Sequence, residues 1–394
     1  MRGKSSFTAE RRPPHTYRFL VGGDRGMIRK IVSLRAVAIC VSIAALSAAL
    51  PAQAPPVPSP DKKASEVFKN IQVLKDVPSD QLIPAMQFIT SSLGVQCGFC
   101  HVENAFDKDD KKTKLIARKM MQMEFAIDAN NFEGKQMVTC NSCHRGSPRP
   151  IAIPIIPESQ PRLLSEAEPL NPPPAPNLPK PEEIVSKYVA ALGGDAQIAK
   201  LTSLDEKGTF EAGGRQFPVE IYVQSPDKSA MVTQWPNGES STVFDGQSGW
   251  FIFPQREPRP MTPADVDASR MDADLHFAID LNKIFSQLKT EKETQIGGQN
   301  VVMVSGERQG QPPVEMYFDQ QSGLLMQMVR YGQSPLGRNP TRIDYSDYRD
   351  VNGVKRPFHW TSATPTGRFT VQIESAQANV AIPASRFEKA SATQ

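Results

Sequence analysis

Two copies of one short pattern, C-x-x-C-H, place the strongest constraint on how this chain can fold. They are Cys97-Gly98-Phe99-Cys100-His101 and Cys140-Asn141-Ser142-Cys143-His144. Two thiols three positions apart can reach the two vinyl groups of one porphyrin, and the histidine that follows is placed to bind its iron. The pattern therefore predicts two covalently attached c haems. Their thioether cysteines are Cys97, Cys100, Cys140 and Cys143, and their proximal iron ligands are His101 and His144.

Paired cysteines also occur in three kinds of site that fit this pattern less well. A zinc ribbon also uses two C-x-x-C pairs, but it has them closer together and has no use for a histidine after each pair. A thioredoxin-like redox pair would account for one motif, not two of identical form. A disulfide within C-x-x-C is strained and uncommon.

The N-terminus has the composition of an export signal. A basic segment at 29–35 precedes an apolar run at 36–50, and the small residues after the run fit cleavage after Ala54. We therefore predict that residues 1–54 are an N-terminal extension and signal peptide, with an uncleaved anchor as the alternative. Every cysteine after this point belongs to a C-x-x-C-H motif, which fits a periplasmic protein that binds haem.

Each motif follows a predicted helix that contains methionine. Gly94 ends the first helix, for which Ser79 and Asp80 are candidate N-caps, and the second covers about residues 113–128. The first has one apolar face suited to burial, at Leu82, Ile83, Met86 and Ile89, and the second has Ile116, Met120, Met123 and Ile127 on one face.

A thioether is a common sixth ligand of haem iron and raises its reduction potential relative to a second imidazole. Met86 and Met120 are the candidate sixth ligands, and Met121 and Met123 are rivals at the second site. A methionine at helical spacing is also a common core residue, so this alternative stays open.

Five segments within residues 68–150 form a recognisable pattern: Asn70–Leu74, Ala85-Met86, Cys97–His101, Ala117–Met120 and Val138–Gly146. With these segments, the region resembles the cytochrome c subunit of bacterial photosynthetic reaction centres. The resemblance implies that Met86 and Met120 are the sixth ligands, Met120 because it directly follows the basic pair. The family subunit has four haems and a ligating histidine in the loop before its second motif. This chain has two motifs and no histidine in that loop, which indicates a two-haem module.

The rest of the chain changes in character. Residues 55–150 are the predicted di-haem domain, 151–180 a proline-rich linker, and 181–394 a β-rich domain. A helix at 182–192 and a helical segment at 262–288 accompany the predicted strands. These strands are 207–212, 217–223, 230–235, 241–244, 250–253, 301–307, 314–318, 324–330, 341–348, 359–364 and 369–374.

The predicted fold class is a multidomain α+β protein. A small α-helical di-haem cytochrome c module precedes a mainly antiparallel, half-barrel-like β domain with covering helices. The β domain resembles the outer-membrane lipoprotein-sorting proteins. This resemblance implies a cavity that binds a lipid or another apolar ligand, and a packed docking domain is the alternative.

The function predicted from these features is electron transfer to a membrane-associated or free redox partner protein, without catalysis. The alternatives are a di-haem peroxidase and a lipid-binding carrier whose haems sense redox state. A net charge of +3 does not indicate nucleic-acid binding. The basic residues of 108–119 could steer an acidic redox partner, or they could form a solvated helix face. His276 and His359 are expected to be structural.

Overall fold

The first described part of the chain is helical and contains both cysteine motifs. A computed structural model of the chain describes residues 58–150 and 177–389, so the predicted signal peptide and most of the predicted linker lie outside it. The helices of the first part are α1 (Ala64–Val67), α2 (Leu82–Leu93), α3 (Lys112–Asn131) and α4 (Cys140–His144). Single 3-10 turns occur at Ser79–Gln81 and Cys97–Phe99.

Helix α2 ends where the sequence predicts, at a left-handed Gly94 with φ of 65°. A Cβ at this position would collide with the backbone of Gly146, so both the conformation and the close approach require glycine. The amide of Gly146 donates to Ser92 O at 2.8 Å. The end of α2 is thereby joined to the segment after the second motif.

The start of α2 differs from the prediction. Ser79 and Asp80 lie in the separate 3-10 turn and do not cap α2, which has Gln81 at its N-cap without a side-chain bond. The Ser79 hydroxyl instead accepts the amide of Ser59 at 2.8 Å. Ile83, predicted to lie on the buried face, is 39% exposed, because α2 packs through a narrower stripe that includes Leu82.

The second described part is an open antiparallel sheet with helices packed on it. Its helices are α5 (Pro181–Leu192), α6 (Asp195–Ile198), α7 (Pro263–Ala273) and α8 (Phe277–Ile284). Its strands are β1 (Ser203–Ala212), β2 (Arg215–Gln224), β3 (Lys228–Trp235), β4 (Gly238–Phe244), β5 (Gly249–Ile252), β6 (Arg259–Pro260), β7 (Gln287–Ile296), β8 (Gln299–Arg308), β9 (Gln311–Asp319), β10 (Leu325–Ser334), β11 (Gly337–Val351), β12 (Val354–Thr364) and β13 (Gly367–Ala378).

The strand order is β6-β5-β4-β3-β2-β1-β13-β12-β11-β10-β9-β8-β7, so the first and last strands pair in the middle of the sheet. Helices α5, α7 and α8 contribute to the main apolar core together with residues from both halves of the sheet. The predicted fold class is confirmed: a helical part precedes an open antiparallel sheet with covering helices.

One long strand is absent from the sequence prediction. The helical segment predicted to continue to residue 288 stops earlier, since α8 ends at Ile284 and β7 begins at Gln287. Among the strands of residues 177–389, β7 lies at the sheet edge and pairs with β8 on one side. Its sequence, QLKTEKETQI, is rich in charge, as edge strands commonly are, and so lacks the apolar alternation that identifies a strand.

The turn between β10 and β11 inserts into the core of the helical part. Leu336 in this turn is fully buried among residues of that core. Gly337 lies against Phe88 so closely that a Cβ would collide with the ring. The Asn339 amide donates to Pro84 O at 3.0 Å, and the Gln136 amide donates to Pro335 O at 2.7 Å. The helical part therefore shares its core with the sheet. The residues that complete this core are Ala64, Leu74, Leu82, Ala85, Ile89 and Met121.

Candidate functional site

The first motif lies on the 3-10 turn that follows α2. Cys97 is exposed and Cys100 is partly buried, and neither thiol forms a disulfide. Burial raises the pKa of the Cys100 thiol. Nδ1 of His101 lies 2.9 Å from Phe106 O. Because a carbonyl can only accept, Nδ1 must carry the proton, and Nε2 keeps the lone pair that a metal requires.

The second motif forms α4, and its histidine has the same arrangement. The Thr139 amide donates to Ser142 Oγ at 3.0 Å, and Arg145 in the left-handed region ends the helix. Nδ1 of His144 lies 2.9 Å from Ser147 O, so its Nε2 is also left as the lone-pair nitrogen. Metal-bound histidines commonly donate their other ring N–H in this way.

An ion-pair network holds the loop between the first motif and α3. The Asp109 carboxylate pairs with Arg118 at 2.9 Å and with Lys114 at 3.0 Å, and it accepts the Asn70 amide at 2.9 Å. These donors hold the pKa of Asp109 well below its ordinary value. Lys111 donates to Gly98 O within the first motif. Lys111 of the predicted basic cluster therefore contacts the first motif directly, and Lys114 and Arg118 hold the loop that follows it. Lys108, Lys112 and Lys119 are exposed.

Two buried carboxylates lie near the second motif. Asp128 accepts the amides of Val138 at 3.0 Å and Met137 at 3.3 Å, which shapes the loop that leads to Cys140. Glu124 is buried without a hydrogen-bond partner for either oxygen among the described residues. Burial and the charge of Asp128 raise the pKa of Glu124 to about 7. Burial, with a smaller effect from Glu124, raises the pKa of the Cys140 thiol to about 11.

The candidate methionine ligands differ in their surroundings. Met86 lies on α2, partly buried against the helical core. On α3, Met120 is 38% exposed and Met123 is 48% exposed, whereas Met121 is buried in the core. The burial of Met121 gives it a structural role in the core, while Met120 and Met123 are both accessible as metal ligands.

Several large apolar side chains are exposed on α3 and at the first motif, and exposed apolar side chains suit contact with a porphyrin. Ile116, Met120 and Met123 share one face of α3, and all are well exposed. Phe99 within the first motif is 41% exposed, and Phe106 in the loop after it is 56% exposed. Large apolar side chains that stay exposed beside a site commonly mark a binding surface. Unpaired thiols, oriented imidazoles and an apolar surface together suit covalent haem.

The sheet and its helices enclose a separate cavity of about 600 Å³. Aromatic rings line it, with Phe210 stacked on Phe369 at 5.1 Å and packed edge-on against Trp235 at 5.8 Å. Polar groups also reach it: Arg330 forms a two-bond pair with Asp272 at 2.8 and 3.0 Å. The sequence prediction did not identify these cavity residues, because they come from distant strands and share no motif.

The two histidines of the sheet part make hydrogen bonds to other residues of that part. Nε2 of His276 lies 3.0 Å from Leu201 O, and Nδ1 of His359 lies 2.9 Å from Ser346 Oγ. These contacts fit the structural roles expected from the sequence. Among residues 58–150 and 177–389, no helix has the length and apolar character needed to cross a bilayer.

The comparison with known protein families matches the region of the chain that contains both cysteine motifs. Residues 14–167 match the family model described as "Photosynthetic reaction centre cytochrome C subunit". A cytochrome c subunit of the photosynthetic reaction center from Thermochromatium tepidum is 35% identical over 100 residues, covering 24% of this chain and 25% of the relative. The corresponding subunit of Rubrivivax gelatinosus is 32% identical over 117 residues, covering 27% of this chain and 32% of the relative.

A cytochrome c-554 from Chloroflexus aurantiacus is 35% identical over 86 residues, covering 20% of each chain. This chain thus spans between 20% and 32% of the length of these curated relatives. The resemblance predicted for the helical part is confirmed over that region.

Solved structures match the sheet part. A LolA superfamily protein from Nitrosomonas europaea covers 54% of this chain and 99% of its own, at 11% identity and a TM-score of 0.38. A DUF1329 family protein from Desulfovibrio piger covers 52% of this chain and 96% of its own, at 12% identity and a TM-score of 0.37.

Proposed function

We propose that this protein is an exported di-haem c-type cytochrome that transfers electrons. The observation that carries the proposal is the state of the two motif histidines. Both His101 and His144 donate Nδ1–H to a backbone carbonyl at 2.9 Å, which leaves Nε2 free to bind iron. Free thiol pairs beside them supply the covalent attachment, at Cys97 with Cys100 and at Cys140 with Cys143. When bound, haem c supplies a one-electron Fe(III)/Fe(II) couple.

Met86 and Met120 are the proposed sixth ligands. The exposure of Met120 on the apolar face of α3 supports its assignment, and the burial of Met121 in the helical core disfavours that rival. Met123 shares the exposed face and is the remaining rival. With both axial positions occupied by protein, neither iron would be open to substrate, which favours electron transfer over a peroxidase.

The proposed location is the periplasm, with cleavage after Ala54. The basic and apolar segments before that residue support export, and covalent haem attachment suits a compartment outside the cytoplasm. The proposed partner is a redox protein, membrane-associated or free. Because the matched relatives named for photosynthetic reaction centres are covered only in part, the partner is not assigned to a photosystem.

The test is haem analysis of the full chain produced in a host competent in cytochrome maturation. The purified protein should contain two haems per chain that stay attached through acid-acetone extraction. The double variant Cys97→Ala/Cys100→Ala should keep only the haem at His144. The double variant Cys140→Ala/Cys143→Ala should keep only the haem at His101. Low-spin ferric spectra with a sulfur-to-iron charge-transfer band support His/Met ligation. A colourless protein containing zinc would refute the proposal, and a high-spin haem that binds cyanide readily would favour the peroxidase.

A second candidate function is binding of an apolar ligand in the sheet part. The cavity of about 600 Å³ with its aromatic lining favours this function, since drug-sized and acyl ligands occupy apolar cavities of this size. Lipid extraction and mass spectrometry of purified protein test it. A bound lipid that Trp235→Arg removes, with haem content unchanged, would support a carrier role. Protein without lipid that also fails to bind a fluorescent fatty acid would exclude it.

A further inference from the structure

The carbonyl of Phe106 accepts two hydrogen bonds. One comes from Nδ1 of His101 at 2.9 Å, and the other comes from Nζ of Lys114, also at 2.9 Å. The proximal histidine of the first motif therefore shares its acceptor with an ammonium group. The cation acts on the imidazole through a single carbonyl oxygen.

Lys114 is held in this position by further contacts. Its side chain is 10% exposed, and Nζ also donates to Lys108 O at 2.8 Å. Asp109 balances one of the two nearby charges, since it pairs with both Lys114 and Arg118. The three groups of this network, Lys114, Arg118 and Asp109, therefore sum to one positive charge, and Lys114 is the member that reaches the acceptor of His101. Charges with little solvent around them act more strongly than exposed ones.

The second motif lacks this cation. Ser147 O accepts Nδ1–H of His144, and within the described residues no ammonium or guanidinium donates to that carbonyl. Two carboxylates are buried near this motif. Asp128 accepts the amides of the loop before Cys140, and Glu124 lies one helical turn away on α3. Among the described residues, a cation therefore reaches the carbonyl that accepts the imidazole N–H at His101, and none does so at His144.

We propose that Lys114 is a positioning residue that gives the haem at His101 a higher reduction potential than the haem at His144. A hydrogen bond from Nδ1–H increases the basicity of the imidazole and its donation to iron, which stabilises Fe(III). A cation on the acceptor carbonyl weakens that bond, so His101 donates less and Fe(II) is favoured. The positive charge itself also opposes the extra charge of Fe(III). This inference rests on the proposed function, because it requires haem at both motifs.

The test is a redox titration of the full two-haem protein and of three variants that change one charge each. Lys114→Met keeps the aliphatic stem and should lower the reduction equilibrium constant of one haem about tenfold, about 59 mV for one electron. Asp109→Asn removes the neighbouring anion and should shift the same haem in the opposite direction. Lys112→Met removes an exposed charge two residues away on α3 and should shift neither haem.

The haem whose potential shifts must be the haem at His101. This haem is identified as the titration step that is absent from the double variant Cys97→Ala/Cys100→Ala. An electrostatic effect should shift the potential of this haem in opposite directions in Lys114→Met and Asp109→Asn. A loosened haem pocket would instead shift the potential in the same direction in both variants. If Lys114→Met does not fold, the shift of Asp109→Asn decides the question. Two haems with His/Met spectra and no shift in either variant would overturn this inference and leave the proposed function standing. A chain that binds no haem would overturn the proposed function itself.

Discussion

Replacing Leu336 by alanine tests whether the β10–β11 turn completes the core of the helical part. Leu336 belongs to the sheet part of the chain, yet it is fully buried among Leu82, Phe88 and Met121. The substitution removes three carbons from this core. At about 0.8 kcal/mol for each buried methylene, their transfer to water contributes about 2.4 kcal/mol. The cavity left behind adds to this, so the expected loss is about 2–5 kcal/mol.

The assay is denaturant unfolding of the two-haem protein with two signals. The haem absorbance reports on the helical part, and tryptophan fluorescence reports on the sheet part, because all three tryptophans (Trp235, Trp250 and Trp360) lie there. Ile83→Ala is the matched control, since it also removes three carbons but from a side chain that is 39% exposed. It should cost less than about 1 kcal/mol.

A specific pattern of results follows if the core is shared. The unfolding transition followed by haem absorbance should shift to a lower denaturant midpoint in Leu336→Ala than in Ile83→Ala. The slope of the transition should stay unchanged. A loss no greater than that of Ile83→Ala would refute the reasoning. That result would mean that the helical part is stable without the turn and that the two parts merely touch.

Three further predictions concern the helical part. Burial gives Glu124 a folded-state pKa of about 7 against an ordinary 4.5, so the free energy of unfolding should fall by about 3 kcal/mol at most as pH rises from 4.5 to 7. In Glu124→Gln, the free energy of unfolding should depend less on pH between 4.5 and 7. The same pH dependence as in the unsubstituted protein would contradict the raised pKa of Glu124. Met120→Ala should abolish the charge-transfer band of one ferric haem or lower its potential, as recorded by spectroscopy and redox titration, whereas the same effect from Met123→Ala alone would transfer the ligand role. Gly94→Ala should destabilise the protein by more than about 1 kcal/mol in urea unfolding, because its φ of 65° and its contact with Gly146 exclude a side chain. A loss below that value would show that the backbone can move apart.

Local chemistry was readable from the sequence alone. The two C-x-x-C-H motifs depend on spacing along one turn, Gly94 ends α2 through its own conformation, and most strands are bounded by turn residues that act within a few positions. The prediction failed where local pattern was weak or ambiguous. The charged edge strand β7 has little apolar alternation, and Ser79 found a partner in Ser59 instead of capping α2.

Only the tertiary structure decided which groups meet across long separations. Neither the carbonyl partners of His101 and His144 nor the shared acceptor of Lys114 follows from a motif, since backbone carbonyls carry no sequence signature. The burial of Leu336 in the helical core joins residues more than two hundred positions apart. Helical periodicity placed Met120 and Met123 on one face of α3, but packing decided that the opposite face, with Met121, enters the core. The physical reason is that amphipathic pattern defines faces, while the partner of each face depends on how the whole chain packs.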